Sequence, residues 1–358
     1  MGGALRRERL AAELRARGLD ALLVTRLPNV RYLSGFTGSN GQVVVAADGR
    51  AVLLTDGRYE GQAAREAPDL ERVVYRDRAP LPHALDAARS LGASRLGFEA
   101  TLAYRDAREL ERRADGLEVA PVDGLVERLR WVKDEEELRA LARAQELTDL
   151  AFARLPDLLR EGLTERDLAL ELEFEVRRAG AEALAFEPIV AFGEHAAEPH
   201  HRPCHRALRR GDVVKVDLGA RASGYHADTT RTVAFGEPPA ELRKLHALVA
   251  RAQAAGLGAL RAGARTGEVD AAARGTIAAA GFGERFPHGL GHGVGLEIHE
   301  GPWLRDGGAE AVPAGAVVTV EPGVYVPGLG GVRIEDVAVV GPEGARVLGR
   351  VPRELVVV

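Results

Sequence analysis

The sequence predicts an α+β protein of two domains, a small α/β unit followed by a larger unit built on a mainly antiparallel sheet. Three observations carry this. With 358 residues and 46% apolar composition the chain can bury a sizeable core and exceeds one ordinary domain. Its first third alternates helical and strand periodicity. From Gly211 onward the pattern turns to short β segments around a helical stretch.

In chain order, Leu5 to Arg17 has helical spacing, and Asp20 to Thr25 is a short apolar strand closed before Pro28. Gln42 to Ala47 and Ala51 to Thr55 flank an Asp48-Gly49 turn as a hairpin. Pro121 to Arg130 leads into a long helix in which Leu138, Leu141, Ala144, Leu147, Ala151 and Leu155 recur every three or four residues. The domain boundary is expected near residue 126, giving domains 1–126 and 127–358. Thr164 with Asp167 three residues later forms a capping-box pattern, and Leu168, Leu172, Val176 and Ala179 continue as an amphipathic helix ending at Gly180. The β segments are Val213 to Leu218, Thr229 to Ala234, Val317 to Val320 and Val332 to Val340. Helices are expected over Pro239 to Arg261 and Gly267 to Ala280. No repeat of solenoid or propeller period is present. Two similar halves, each a helix pair with a strand pair, are compatible with the pattern.

Composition removes several functions. The net charge of -5, from 48 basic and 53 acidic side chains spread along the chain, provides no basic stripe for nucleic acid. The single cysteine, Cys204, excludes an internal disulfide and a Cys-based zinc cage, and fits a reducing compartment. The opening Met-Gly-Gly-Ala-Leu-Arg-Arg has no apolar signal segment, and Arg6 occupies the Ser/Thr position of a myristoylation signal. No apolar run approaches the roughly 20 residues of a membrane span. The expectation is a cytoplasmic protein without nucleic-acid or membrane partners.

Four carboxylates interrupt otherwise apolar strands: Asp217 in VVKVDLG, Asp228 in GYHADTTRT, Glu321 in VVTVEPG and Glu335 in GVRIEDVAVV. Any one of them could be a strand-end residue. Together they point to shared cations, because unpaired carboxylates gathered in a core raise their pKa values and neutralise. Asp217 and Asp228 are 11 residues apart and Glu321 and Glu335 are 14 apart, spacings that suit adjacent antiparallel strands. In HGLGHGVG, His288 and His292 stand among Gly289, Gly291 and Gly293, which favour extended backbone packed close to another group. That run fails the G-x-G-x-x-G pattern of a dinucleotide site. Oxygen-rich ligation with one imidazole suits Mn²⁺, Co²⁺ or Zn²⁺. Two such ions about 3.5 to 4 Å apart support hydrolysis.

These residues resemble the creatinase/aminopeptidase (M24) metallopeptidases, whose catalytic domain has the pita-bread fold. The motifs VDLGA, GYHADTTRT, HGLGHGVGLEIHE, TVEPG and GVRIED, in that order, are similar to the aminopeptidase P and prolidase branch. The resemblance implies metal ligands Asp217, Asp228, His292, Glu321 and Glu335, with Asp228 and Glu335 bridging two divalent ions, manganese first and cobalt or zinc otherwise. It implies that Glu321 takes a proton from the nucleophilic water, and that His288 and His299 bind the scissile carbonyl and the proline side. His200, in EPHHRP, would help stabilise the oxyanion, and Arg333 would pair with acidic groups of the site. It further implies a creatinase-like first domain, matched by YLSGFTGSNG and TDGRYEGQA, and a homodimer acting on peptides with proline at position two. Methionine aminopeptidase shares the five ligands but not the extra domain or this histidine set. Creatinase acts without metal, and a pita-bread binding module would have lost ligands that are intact here.

Other residues receive plainer readings. His195, His201 and His205 are expected to be solvated loop residues, His226 and His246 structural, and Cys204 incidental. Thr230 and Thr319 alternate with the ligands and either support the carboxylates or simply suit strands. Trp303 and Phe192 are candidate surfaces for a proline ring, and Tyr225 lies near the first two ligands. The run Lys133 to Glu137 is expected to be the solvated start of a helix.

Overall fold

A computed structural model describes residues 2–77 and 79–358, and its contacts divide the chain into two compact units, Met1–Arg130 and Trp131–Val358. In the first, six strands form one mixed sheet: β1 (Ala21–Val24), β2 (Gly41–Ala46), β3 (Ala51–Asp56), β4 (Glu71–Tyr75), β5 (Arg95–Glu99) and β6 (Glu118–Val122), in the order β4-β3-β2-β1-β5-β6. The β2–β3 hairpin closes at Gly49, whose φ of 90° needs glycine. Helices α1 (Gly2–Ala16), α2 (Leu27–Ser34), α3 (Glu60–Glu66), α4 (Pro80–Ser90), α5 (Tyr104–Arg113) and α6 (Leu125–Arg130) accompany the sheet. Leu23, Val44, Leu54, Leu85, Leu96 and Phe98 are among the side chains of its core.

The second unit opens with α7 (Glu135–Leu158) and α8 (Glu165–Arg178). Both begin in capping boxes, Asp134 with Glu137 and Thr164 with Asp167. Short strands β7 (Ala183–Leu184), β10 (Ala220–Ala222) and β11 (Tyr225–His226) form one small sheet, and β8 (Ile189–Phe192), β9 (Val213–Leu218) and β12 (Thr229–Ala234) form another. The helices α9 (Ala240–Ala259) and α10 (Thr266–Ala279) follow. Then come β13 (Gly291–Gly293), β14 (Glu300–Leu304), β15 (Val317–Val320), β16 (Gly323–Val326), β17 (Gly330–Arg333), β18 (Asp336–Val340) and β19 (Ala345–Val347). A five-stranded sheet has the order β14-β13-β15-β18-β19, and β16 pairs with β17. The strand ladders of this unit are antiparallel.

Each half of the unit thus sets a helix pair on a sheet. The apolar faces of α7 and α8 join Val190, Val214, Val216 and Leu218 in one core, and those of α9 and α10 join Val318, Val320, Ile334 and Ala338 in another. The halves are tied where β12 meets β18. Arg231 Nη2 donates to Asp336 Oδ1 at 2.7 Å, and the Glu335 amide donates to the Thr230 carbonyl at 3.1 Å. Both partners of that ion pair are buried.

Two expectations fail. Val332 to Val340 is not one strand. The strand paired with β16 stops at Arg333 and the one paired with β15 starts at Asp336, so that Glu335 lies off both ladders at the point where its carboxylate is needed. Nor is Lys133 to Glu137 a solvated run. Glu135 and Glu136 are exposed, but Lys133 and Glu137 are buried, Lys133 Nζ on Glu300 Oε1 at 2.9 Å and Glu137 Oε1 accepting from Tyr225 Oη at 3.0 Å. Among the described residues no helix is long and apolar enough to cross a membrane.

The buried Lys133–Glu300 pair can be tested. Lys133→Met strands a buried carboxylate, and denaturant unfolding should show a loss of about 3–5 kcal/mol. Adding Glu300→Gln should restore part of it, whereas a loss no larger than that of an exposed pair would contradict this placement.

Candidate metal centre

The strand registers explain why distant carboxylates meet. In the β9–β12 ladder Asp217 lies opposite Thr230, two residues past Asp228. In the β15–β18 ladder Val320 lies opposite Asp336, which sets Glu321 and Glu335 against each other just beyond its end. His292 sits where the β13–β14 register shifts, one residue of β13 facing three of β14 between the Gly291–Leu304 and Gly293–Glu300 pairs. The flanking glycines are steric requirements, since a Cβ at Gly291 would strike the Thr319 carbonyl and one at Gly293 the Gly301 carbonyl.

All nine side chains singled out in the sequence line one cavity of about 440 Å³: His200, Asp217, Asp228, His288, His292, His299, Glu321, Arg333 and Glu335. Phe186, Ile189, Ile298 and Trp303 supply apolar wall. Phe192 does not; it is fully buried in the α7–α8 core. Tyr225 is buried and engaged with Glu137, outside the cavity lining.

Asp228, His292 and Glu335, all buried, each offer a donor atom within 4.8 Å of the others. His292 gives Nδ1–H to the Gly293 carbonyl at 3.1 Å, so Nε2 faces Glu321 Oε1 at 3.2 Å and Asp228 Oδ2 at 3.6 Å. A lone pair against two carboxylates is repulsive unless a proton or a cation stands between them. Asp217 Oδ1 and Glu335 Oε1 are buried without a hydrogen-bond partner. Two orphaned acceptor oxygens and an aimed imidazole fit a divalent cation.

The supporting hydroxyls are in place. Thr230 Oγ1 donates to Glu335 Oε2 at 2.7 Å and accepts from Arg333 Nε at 2.9 Å. Thr319 Oγ1 accepts from the His292 amide at 3.0 Å and donates to Glu321 Oε1 at 3.0 Å. Arg333 also donates to Asp217 Oδ2, to the Pro199 carbonyl at 3.1 Å and to Tyr325 Oη at 3.0 Å. Tyr325 and Lys215 were not anticipated. Tyr325 Oη lies 2.9 Å from His288 Nε2, and Lys215 Nζ donates to the Ala196 and Glu198 carbonyls ahead of His200. A lysine within VVKVDLG, on the same face as Asp217, was the available signal.

Charge repulsion is written in the titration behaviour. Burial, then the neighbouring carboxylates, push Asp228 and Glu335 well above their usual values. Burial also opposes ionisation of Glu321, but the hydrogen bond and charge of His292 prevail and hold it down at about 2. Burial lowers His288 and, joined by the charge of His292, lowers His299. Lys215 falls to about 6 through burial and the charge of Arg333, and burial lifts Tyr325 to about 12.

Residues 139–342 match the sequence model of metallopeptidase family M24, and residues 6–132 match that of the creatinase/prolidase N-terminal domain. The Xaa-Pro dipeptidase of Pyrococcus horikoshii is 34% identical over 339 residues, covering 94% of this chain and 95% of that protein. Among solved structures, an Xaa-Pro dipeptidase from Bacillus anthracis superposes with a TM-score of 0.95 at 38% identity, covering 99% of this chain and 100% of that one. An X-Pro aminopeptidase from Thermotoga maritima superposes with a TM-score of 0.90 at 34% identity, covering 98% and 99%.

The raised carboxyls give a pH prediction. A carboxyl raised on folding keeps its proton in the folded chain while the unfolded chain releases it, so stability is lost as pH climbs from the ordinary carboxyl range toward the raised values. Chelator-treated protein should therefore show a Tm that falls as pH rises above the ordinary carboxyl range, and saturating Mn²⁺ should flatten that slope by replacing the protons. Identical slopes with and without metal would contradict a cation at these carboxylates.

Proposed function

The chain belongs to metallopeptidase family M24 and is a metallopeptidase, and from that premise we propose that it hydrolyses the bond between an N-terminal residue and a following proline. What supports this most is the convergence of four carboxylates and His292 on one cavity with two unsatisfied oxygens, in a chain whose relatives include Xaa-Pro dipeptidases. Asp217, Asp228, His292, Glu321 and Glu335 would hold two divalent ions, manganese by preference. When bound, such ions polarise the scissile carbonyl and make a water nucleophilic at neutral pH.

The remaining work falls to side chains. Glu321, ionised and oriented by Thr319, accepts the proton of the attacking water. His200 donates to the carbonyl oxygen as it gains negative charge. His299 orients the scissile carbonyl and the proline side, joined by His288 once its Nε2 exchanges Tyr325 Oη for substrate, since its Nδ1 is held by the Gly289 carbonyl. The apolar side chains Phe186, Ile189, Ile298 and Trp303 offer a surface for the proline ring and keep bulk water off the reacting bond. Arg333 fixes Asp217 and so sets the orientation of that carboxylate.

Residues 1–126 are read as a separate creatinase-like first domain. We read the protein as a cytoplasmic homodimer, which the family resemblance and the single cysteine support. Methionine aminopeptidase activity is not favoured, given the creatinase/prolidase N-terminal domain, and a non-catalytic binding module is not favoured, given the intact donor set.

Two experiments address this. Metal-stripped protein given Mn²⁺, Co²⁺ or Zn²⁺ should release the N-terminal residue from Xaa-Pro. Release from Xaa-Pro-Yaa as well identifies an aminopeptidase, release from the dipeptide alone identifies a dipeptidase, and release from neither with any metal overturns the reading. Thr319→Val should weaken metal binding about 10- to 100-fold with the fold intact, measured by direct metal titration.

A further inference from the structure

A second cluster of metal-ligating side chains lies on the loop that carries His200. Glu165, His195, His201 and Cys204 each offer a donor atom, and these atoms all lie within 4.8 Å of one another. Glu165, the first residue of α8, is fully buried. Its Oε1 accepts from the Phe192 amide at 2.8 Å and faces His195 Nδ1 at 2.9 Å. Its Oε2 faces His201 Nε2 at 2.8 Å and Cys204 Sγ at 3.1 Å. This corrects three expectations, because His201 is buried, His195 is engaged and Cys204 is not incidental. His205 alone of that group is exposed.

A hydrogen-bonded carboxylate at a helix start would account for part of this arrangement. Two features go further. Both nitrogens of His201 lie against carboxylates, Nδ1 at 2.7 Å from Glu198 Oε2 and Nε2 on Glu165, and since a neutral imidazole has one proton to give, a second proton or a cation must stand at one of the two contacts. With a cation in the cluster, Glu198 keeps Nδ1–H and the Nε2 lone pair turns to the metal, the carboxylate–histidine–metal arrangement of established sites. The Arg206 amide also donates to Cys204 Sγ at 3.4 Å, an N–H to sulfur contact that favours thiolate, but the Glu165 carboxylate and burial outweigh it and raise the thiol above its ordinary value until a cation takes the place of its proton.

We infer that Glu165, His195, His201 and Cys204 form a second divalent-metal site, separate from the cavity and suited to Zn²⁺ or Co²⁺. One sulfur, two imidazole nitrogens and one carboxylate oxygen make a four-ligand set of zinc type. Cys204 gives its thiol proton to solvent on binding, and thiolate plus carboxylate then balance the dication. The ion clamps the loop from one side. From the other, Lys215 holds the Ala196 and Glu198 carbonyls and Arg333 holds the Pro199 carbonyl, so His200 is carried between two fixed points. The inference stands independently of the peptidase reading.

Cys204 is the chain's one cysteine, so a thiolate-to-metal signal can arise only here. Titrating Co²⁺ into the chelator-stripped full chain should produce a near-ultraviolet thiolate-to-cobalt charge-transfer band that saturates at one equivalent of this site and is displaced by Zn²⁺. The band should persist in Asp228→Asn, which impairs the cavity centre, vanish in Cys204→Ser and weaken in His195→Ala. No band in the wild-type chain at saturating Co²⁺ would overturn the site without needing any variant to fold. A band lost in Asp228→Asn but retained in His195→Ala would also overturn it.

Discussion

Four carboxylates held close together out of water are the constraint on which the second domain is built. Asp217, Asp228, Glu321 and Glu335 cannot all ionise in a buried cluster without compensating positive charge. Arg333 supplies one such charge and His292 lends a proton to Glu321. Asp228 and Glu335 answer by retaining their protons, and Asp217 and Glu335 each keep an oxygen without a partner. Divalent cations remove the conflict at once, and the elements that would otherwise look irregular then have reasons. The strand breaks at Glu335, the β13–β14 register shifts at His292, and Gly291 and Gly293 let carbonyls approach where any side chain would collide.

The carboxylates are shared between two halves of the domain. One half delivers Asp217 and Asp228 from the sheet beneath α7 and α8, and the other delivers His292, Glu321 and Glu335 from the sheet beneath α9 and α10. Their geometry therefore depends on contacts that cross the halves. Arg333 reaches Asp217 and Thr230, Thr230 reaches Glu335, and the buried Arg231–Asp336 pair fixes the two strands behind them. Loss of any of these would disturb metal geometry without touching a ligand, since outer contacts orient the inner ones.

Much of this was legible in the sequence, for physical reasons. Carboxylates inside Val-rich strands stand out because burying them is costly, and their spacing follows from the period of an antiparallel ladder. Thr230 and Thr319 could be expected near the ligands because they alternate in register with them. What stayed hidden depended on contacts between segments far apart in the chain. Lys133 reads as part of a solvated run until Glu300, far along the chain, is seen beside it. His201 and Cys204 sit in a Pro- and Arg-rich loop that looks exposed, and only the buried Glu165 at the start of α8 draws them inward. Phe192 ends a strand that borders the cavity, yet its ring faces the opposite core, a choice of face that a one-residue difference in register decides.

The central claim is that a pair of divalent cations satisfies the buried carboxylates. Anomalous diffraction from crystals grown with Mn²⁺ tests it most directly. The account predicts two peaks about 3.5–4 Å apart, bounded by Asp217, Asp228, His292, Glu321 and Glu335, with Glu335 and Asp228 between them. A cavity free of anomalous signal at saturating Mn²⁺, with those carboxylates unchanged in position, would contradict it.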